Sequence, residues 1–212
     1  METPEETSRR PYRPSLGLIL CLLLIPGLGY LALPKSAHIY PVPKGRHADE
    51  DLSGIGGAIQ TFRAEYGYWP VSPATASLTN RDFTFGTVGT GARCVITNGF
   101  GKEANNSEIV RILTAVDENG HLRNPRKNVY LNAKFVRATN SPGIGPDFVY
   151  RDPWGNPYII TLDLNGDGQC DDCIYHVKGG FSIWSFGPDG KASVSELPGL
   201  GVNKDNVVTF RQ

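Results

Sequence analysis

Asp163, Asn165 and Asp167 stand at alternate positions in "DLNGDGQCDDC", with Gly168 directly after them and Asp171 close behind. That spacing matches positions 1, 3, 5, 6 and 9 of a Ca²⁺-binding loop, in which hard oxygen ligands converge and a glycine permits the sharp turn. The twelfth position, where a bidentate Glu would close such a loop, is Ile174. The preceding "YIIT" is strand-like, so the first helix of an EF-hand is missing. A polar hairpin turn is the competing reading, because "NGDG" is a strong turn signal in its own right. Both readings stand, and Ca²⁺ is the one cofactor the sequence suggests.

The same segment carries Cys170 and Cys173 as a C-x-x-C pair. Redox catalysis requires a thiol pKa lowered by positive charge or a helix N-terminus, and Asp171 and Asp172 between the cysteines work against it. Zinc could recruit Cys94 and His176 beside the pair, but a second closely spaced pair is absent. In an exported chain thiols tend to pair, so Cys94, Cys170 and Cys173 are disulfide candidates with one left over. No nucleophile elbow, H-E-x-x-H or phosphate loop accompanies the scattered histidines, so the sequence carries no enzymatic constellation. Basic and acidic residues balance at 21 each, which excludes the electrostatic footprint of a nucleic-acid binder.

The elements that must position these residues begin after an apolar stretch. Residues 15–33, SLGLILCLLLIPGLGYLAL, hold no charge, and about 20 apolar residues suffice to cross a bilayer. Arg9, Arg10 and Arg13 precede the stretch and only Lys35 closely follows, which predicts a cytoplasmic 1–14 and an exported remainder. A cleaved signal peptide, processed near Ala32 or Ala37, is the alternative to an inner-membrane anchor, and would leave a secreted binding module that recognises a protein or glycan. Residues 34–46 form a Pro-rich linker, and 47–212 form the globular domain.

Within that domain Leu52, Ile55, Ile59, Phe62 and Tyr66 recur at steps of three and four, predicting an amphipathic helix over 47–66. Asp49, Glu50 and Asp51 would sit in its first turn, and Gly67 and Pro70 would end it. A second helix is expected over 106–118, with Asn105 and Glu108 as a capping box and Ile109, Ile112, Leu113 and Val116 facing inward. Strands are expected near "RDFTFGTV", "ARCVITNG", 128–136, "YIITLDL", "GGFSIWSFG" and "DNVVTF". The fold class is α+β: a long N-terminal amphipathic helix packed on a small antiparallel sheet, with many loops.

Four segments in order, "AIQTFRAEYGYWP", "DPWGNPY", "SIWSFGPDGK" and "NKDNVVTF", make the chain resemble the major pseudopilin of type II secretion systems and related type IV pilin-like proteins. The resemblance covers about residues 48–70 and 145–210, and the DPWGNPY corner is its most specific part. It implies a pilin-like head on an N-terminal helix, and a non-enzymatic, membrane-attached subunit whose partners are other secretion or pilus-like envelope proteins or itself. It also implies Ca²⁺ in the loop after the Gly-x-Asp-Gly turn, held by Asp189 and Asp205 with nearby carbonyls and Asn203. The N-terminus departs from the family: "RPSLGLILCLLL" lacks the Phe-Thr and Glu of the prepilin cleavage motif, and the Pro-rich linker interrupts the helix between anchor and head.

Overall fold

Leu52, Ile55, Ile59 and Phe62 form the buried face of helix α1, Lys44–Tyr66, in the computed structural model, which describes residues 43–88, 103–116, 120–172 and 174–209. The segments 1–14 and 15–33, the linker up to residue 42, the strand expected at "ARCVITNG", and Cys94 and Cys173 lie outside the described residues. Among the described residues no helix is long and apolar enough to cross a membrane.

Helix α1 starts earlier than its apolar period suggests. Pro43 has no side chain to cap the helix, but its carbonyl accepts the His47 N–H at 3.3 Å, so a proline suits the residue before the first turn. Asp49, Glu50 and Asp51 therefore fall in the second turn, and the first turn holds no acid. Gly67 takes a left-handed φ of 76° and returns its N–H to Arg63 O at 2.8 Å, which ends the helix. Of the three mid-helix glycines only Gly56 meets a neighbour. A Cβ there would lie 3.4 Å from the Phe181 ring, whereas Gly54 and Gly57 face open space.

The helix lies on a four-stranded antiparallel sheet ordered β1 (Phe83–Phe85), β4 (Ile159–Leu162), β7 (Phe181–Ser185), β8 (Val207–Val208). Two short hairpins flank it: β2 (Gly143–Ile144) with β3 (Tyr150–Arg151), and β5 (Gln169–Asp171) with β6 (His176–Lys178). The fold is thus mixed helix and antiparallel sheet, α+β. Strand period sorts the side chains. Ile160, Leu162, Phe181 and Ile183 face α1 and join its core, while Ile159 and Trp184 pack behind the sheet with Ile174, Tyr175, Phe186 and Ala192. Both faces are covered, which is why β4 is buried along its whole length.

Two expected elements came out differently. Helix α3 spans Ser107–Leu113 and follows the single-turn helix α2, Pro73–Ala76; it stops well short of residue 118. Ala115 turns left-handed at φ 58°, and Val116 N–H reaches back to Arg111 O at 2.8 Å, the closure of a Schellman motif without glycine. Val116 is consequently exposed. The capping box does not form either. Asn106 is the N-cap residue, and Glu108 instead accepts the Ser72 N–H at 2.6 Å.

The strand expected over 128–136 is an extended loop. Leu113 O accepts both Tyr130 N–H and Leu131 N–H, and only Phe135 makes an isolated parallel bridge, to Ile144. Elsewhere Asn106, fully buried, ties β3 to the residue before β4. Its amide accepts from Tyr150 N–H and donates to the carbonyls of Tyr150 and Tyr158, all at 2.9 Å.

One polar junction crosses the core. The two oxygens of Asp51 on α1 accept the hydroxyls of Tyr150 at 2.7 Å and Tyr158 at 2.8 Å. Burial, and then the Asp51 carboxylate, hold both phenols protonated well above the ordinary value of 10.0. Below pH 10 their contribution to stability is complete. It is lost as pH rises beyond 10, where tyrosines of the unfolded chain ionise and these two do not. Alkaline denaturation should therefore steepen above pH 10 in the wild type and less so in Tyr158→Phe; equal slopes would contradict the linkage. On α1 itself, Gly54→Ala and Gly57→Ala should each raise stability by about 1 kcal/mol, read as a higher urea midpoint, because neither Cβ meets an obstacle.

Candidate functional site

The segment 152–158 is built around one carboxylate. Asp152 is fully buried, and its Oδ1 accepts the backbone N–H groups of Trp154 at 2.9 Å and Asn156 at 2.8 Å. Its Oδ2 accepts Ser185 Oγ–H at 2.5 Å and the Asn156 side-chain amide at 3.3 Å. Gly155 adopts φ 94°, a conformation a side chain would strain, and this lets the chain double back so that Asp152 N–H meets Asn156 O. Burial nonetheless raises the Asp152 pKa, with the hydrogen bonds acting in the opposite direction. The corner thus spends both carboxylate oxygens of Asp152 on its own turn and on Ser185.

Asn156 carries the corner outward to the next loop. Its amide also donates to Gly187 O at 3.2 Å, and a Cβ at Gly190 would lie 2.9 Å from Asn156 Oδ1. The turn Gly187–Gly190 thus sits directly on the Asp152 corner. Asp189 is exposed at its tip, its N–H donating to Asp205 Oδ2 at 3.2 Å and its Oδ1 accepting Lys191 N–H at 2.8 Å. Asp205 ends the 3₁₀ turn Gly201–Asp205, and its Oδ1 is buried without a hydrogen-bond partner. The structure therefore brings Asp189 and Asp205 side by side. Asn203 plays a different part: its side chain accepts Ser193 N–H and donates to the carbonyls of Ser193 and Glu196, which fixes the intervening loop and leaves its oxygen engaged.

The 163–168 segment folds as a compact loop wrapped on its own first residue. Asp163 Oδ1 accepts Gly166 N–H at 2.6 Å and Oδ2 accepts Gly168 N–H at 3.0 Å. Gly168 has φ 82°, consistent with the glycine a cation loop requires at its sixth position. Asn165 and Asp167 are exposed and bonded to each other at 2.9 Å, and Asp167 Oδ1 accepts Gln169 N–H at 2.9 Å. Trp69, with the Arg63 guanidinium 3.4 Å above its ring, donates its indole N–H to Asp163 O at 2.8 Å. The loop leads from β4 into β5, so "NGDG" joins strands that are not paired with each other.

Sequence reasoning missed Asp82, which precedes β1. It is 6% exposed, and its Oδ2 accepts Asp171 N–H at 2.6 Å, at the ninth position of the loop. Its Oδ1 is buried and unpartnered. Burial, reinforced by the charges of Asp163, Asp167 and Asp171, pushes its pKa up to about 6 against the Asp171 hydrogen bond. No sequence signal marks this residue, since only the β1–β4 pairing brings it to the loop. Among the described residues no three His, Cys, Asp or Glu side chains yet converge on one point, because the loop's carboxylates are turned onto its own amides.

Of the two cysteines in the C-x-x-C segment only Cys170 lies among the described residues. Cys170 is a free, fully buried thiol whose S–H donates to Thr161 O at 3.6 Å, and burial followed by the Asp82 and Asp163 charges pushes its pKa up. Asp171 pairs across the hairpin with His176, Nδ1 to Oδ1 at 2.8 Å and exposed. Cys170 points to the opposite face of the same hairpin, so Cys170 and His176 do not converge on a zinc ion. Asp172 caps the turn: Oδ1 accepts Ile174 N–H and Tyr175 N–H, and Oδ2 accepts the Trp184 indole at 2.8 Å.

Comparison with protein-family models, with curated proteins and with solved structures finds no match to this chain. The geometry itself therefore carries the reading of function. Replacing Asp152 by Ala should lower stability by about 3–5 kcal/mol, because buried amides and a hydroxyl lose their acceptor. Urea denaturation measures this, and a midpoint within error of wild type would show that the corner is not organised by this carboxylate.

Proposed function

We propose that the chain is a membrane-anchored, pseudopilin-like structural subunit of a type II secretion or pilus-like envelope assembly. The segment 15–33 would hold it as a single-pass protein in the inner membrane, with the domain from residue 47 onward as a pilin-like head in the periplasm or outside the cell. Its partners would be other envelope proteins of that assembly or further copies of itself, and its role would be mechanical, without enzymatic chemistry.

One observation carries the reading. The segments that resemble pseudopilins are far apart in sequence, yet they meet in one place. Asn156 of the DPWGNPY corner donates to Gly187 at the start of "GPDG", and Asp189 of that turn contacts Asp205 of "NKDN". Helix α1, whose end and following turn carry "AIQTFRAEYGYWP", is joined to the same corner through Asp51 and Tyr158. Motifs that support one another physically are expected of a shared head architecture, and not of chance similarity in loops.

Ca²⁺ at the Asp189–Asp205 loop belongs to this proposal. The buried, unpartnered Asp205 Oδ1 beside an exposed second carboxylate suits a hard cation of oxygen-ligand preference. An ion bound only by the native state stabilises it by mass action. Adding Ca²⁺ to chelator-treated protein should raise Tm, and the increase should be smaller in Asp189→Ala; an increase equal to that of the wild type would remove this site. Mass determination of the native protein tests the anchor: an intact 15–33 segment supports it, and a new terminus near residues 33–38 indicates a secreted module instead.

A further inference from the structure

The geometry points to a second Ca²⁺ site, apart from the Asp189–Asp205 loop and from the role proposed for the head, in which Asp82 supplies the carboxylate that the 163–171 loop lacks. The ligands would be Asp82, Asp163, Asn165, Asp167 and the backbone carbonyl of Gln169.

Two independent observations meet here. The loop has the residue types and spacing of a cation loop through its ninth position, and its backbone is wrapped as such a loop must be, with the first aspartate accepting the N–H groups of Gly166 and Gly168. Its defect is the twelfth position, where Ile174 is 6% exposed and packs behind the sheet with Tyr175 and Trp184. Against the loop lies a carboxylate from another part of the chain. Asp82 is nearly as buried as a core residue, one oxygen is tied to Asp171 N–H, and the other has no partner. An unpartnered, buried carboxylate oxygen is costly, and one facing three further carboxylates is more so. A divalent cation removes both costs. Asp163 can keep its amide bonds while an oxygen lone pair turns to the metal. Asn165 and Asp167, exposed and bonded chiefly within the loop, need only side-chain rotation to join.

Oxygen-only ligation with three carboxylates selects a hard cation, and the loop length favours Ca²⁺ over the stricter octahedron of Mg²⁺. Cys170, although adjacent in sequence, takes no part, since its thiol is directed at Thr161 O.

Trp69 provides the readout. Its indole donates to Asp163 O, so Tb³⁺ bound in the loop lies within energy-transfer range of that ring. The full-length chain in detergent, stripped with chelator, is titrated with Tb³⁺ and then back-titrated with Ca²⁺. We expect sensitised emission that Ca²⁺ displaces, that Trp69→Phe abolishes, and that persists in Asp189→Ala. Asp82→Asn keeps an oxygen for Asp171 N–H, so it should fold, as its circular dichroism would show. It should weaken Tb³⁺ and Ca²⁺ by about 10- to 100-fold, as loss of a charged ligand does. Asp167→Asn should weaken them as well.

Equal affinity in Asp82→Asn and wild type, with Asp167→Asn weakened, would leave a loop site without Asp82 and overturn the inference. Emission lost in Asp189→Ala but kept in Asp82→Asn would place the ion at the other loop, with the same consequence. No Trp69-dependent emission in any variant would overturn the site altogether, while leaving the Asp189–Asp205 measurement intact.

Discussion

Four hydrogen bonds converge on the Asp152 carboxylate, and the β-rich half of the molecule is arranged around it. Strands of two to five residues cannot set their own positions, because each contributes few ladder bonds. A buried carboxylate can. It accepts the amides of its own turn on one oxygen and reaches Ser185 at the end of β7 on the other, so the turn, the central strand and the loop from Gly187 onward are fixed by one group. The burial that raises its pKa is the cost of that arrangement, and charge-assisted hydrogen bonds offset it.

The same device recurs on a smaller scale. Asp172 gathers two amides and the Trp184 indole behind the sheet, and Asp163 gathers two amides in the loop after β4. Asn106 does with an amide what these do with carboxylates, since it must satisfy both a donor and acceptors of β3 and of Tyr158. A chain with 25 glycines and 16 prolines breaks many backbone ladders, and the polar side chains at the breaks replace the lost bonds. Among the described residues Asp82 and Asp205 are the carboxylates that depart from this pattern. Each has a buried oxygen without a hydrogen-bond partner, and the fold sets each beside further carboxylates, Asp163 and Asp171 for Asp82 and Asp189 for Asp205.

Much of the scaffold was legible in order. The three-and-four spacing of Leu52, Ile55, Ile59 and Phe62 is the buried face of α1, and "YIIT" and "FSIWS" are the two central strands. What failed did so for local reasons. Ala115 ends α3 in a left-handed conformation that sequence rules reserve for glycine, and residues 128–136 have strand-like composition but no neighbouring edge to pair along their length. Asp49–Asp51, read as first-turn acids, fall one turn later because Pro43 starts the helix. Asp51 there serves two tyrosines instead of the helix dipole.

Local sequence is enough to mark the buried face of α1, the two central strands and the alternating oxygen-bearing side chains of the 163–171 segment. These depend on residue type and short spacing, which the chain states directly. Which acidic groups meet depends on the folded chain. Asp82 reaches the 163–171 loop through the pairing of β1 with β4, and Asp189 reaches Asp205 because the loop between them is folded back by Asn203. Such contacts are chosen by long-range strand pairing and by the burial of polar groups that must find partners, and neither is a property of any local stretch of sequence.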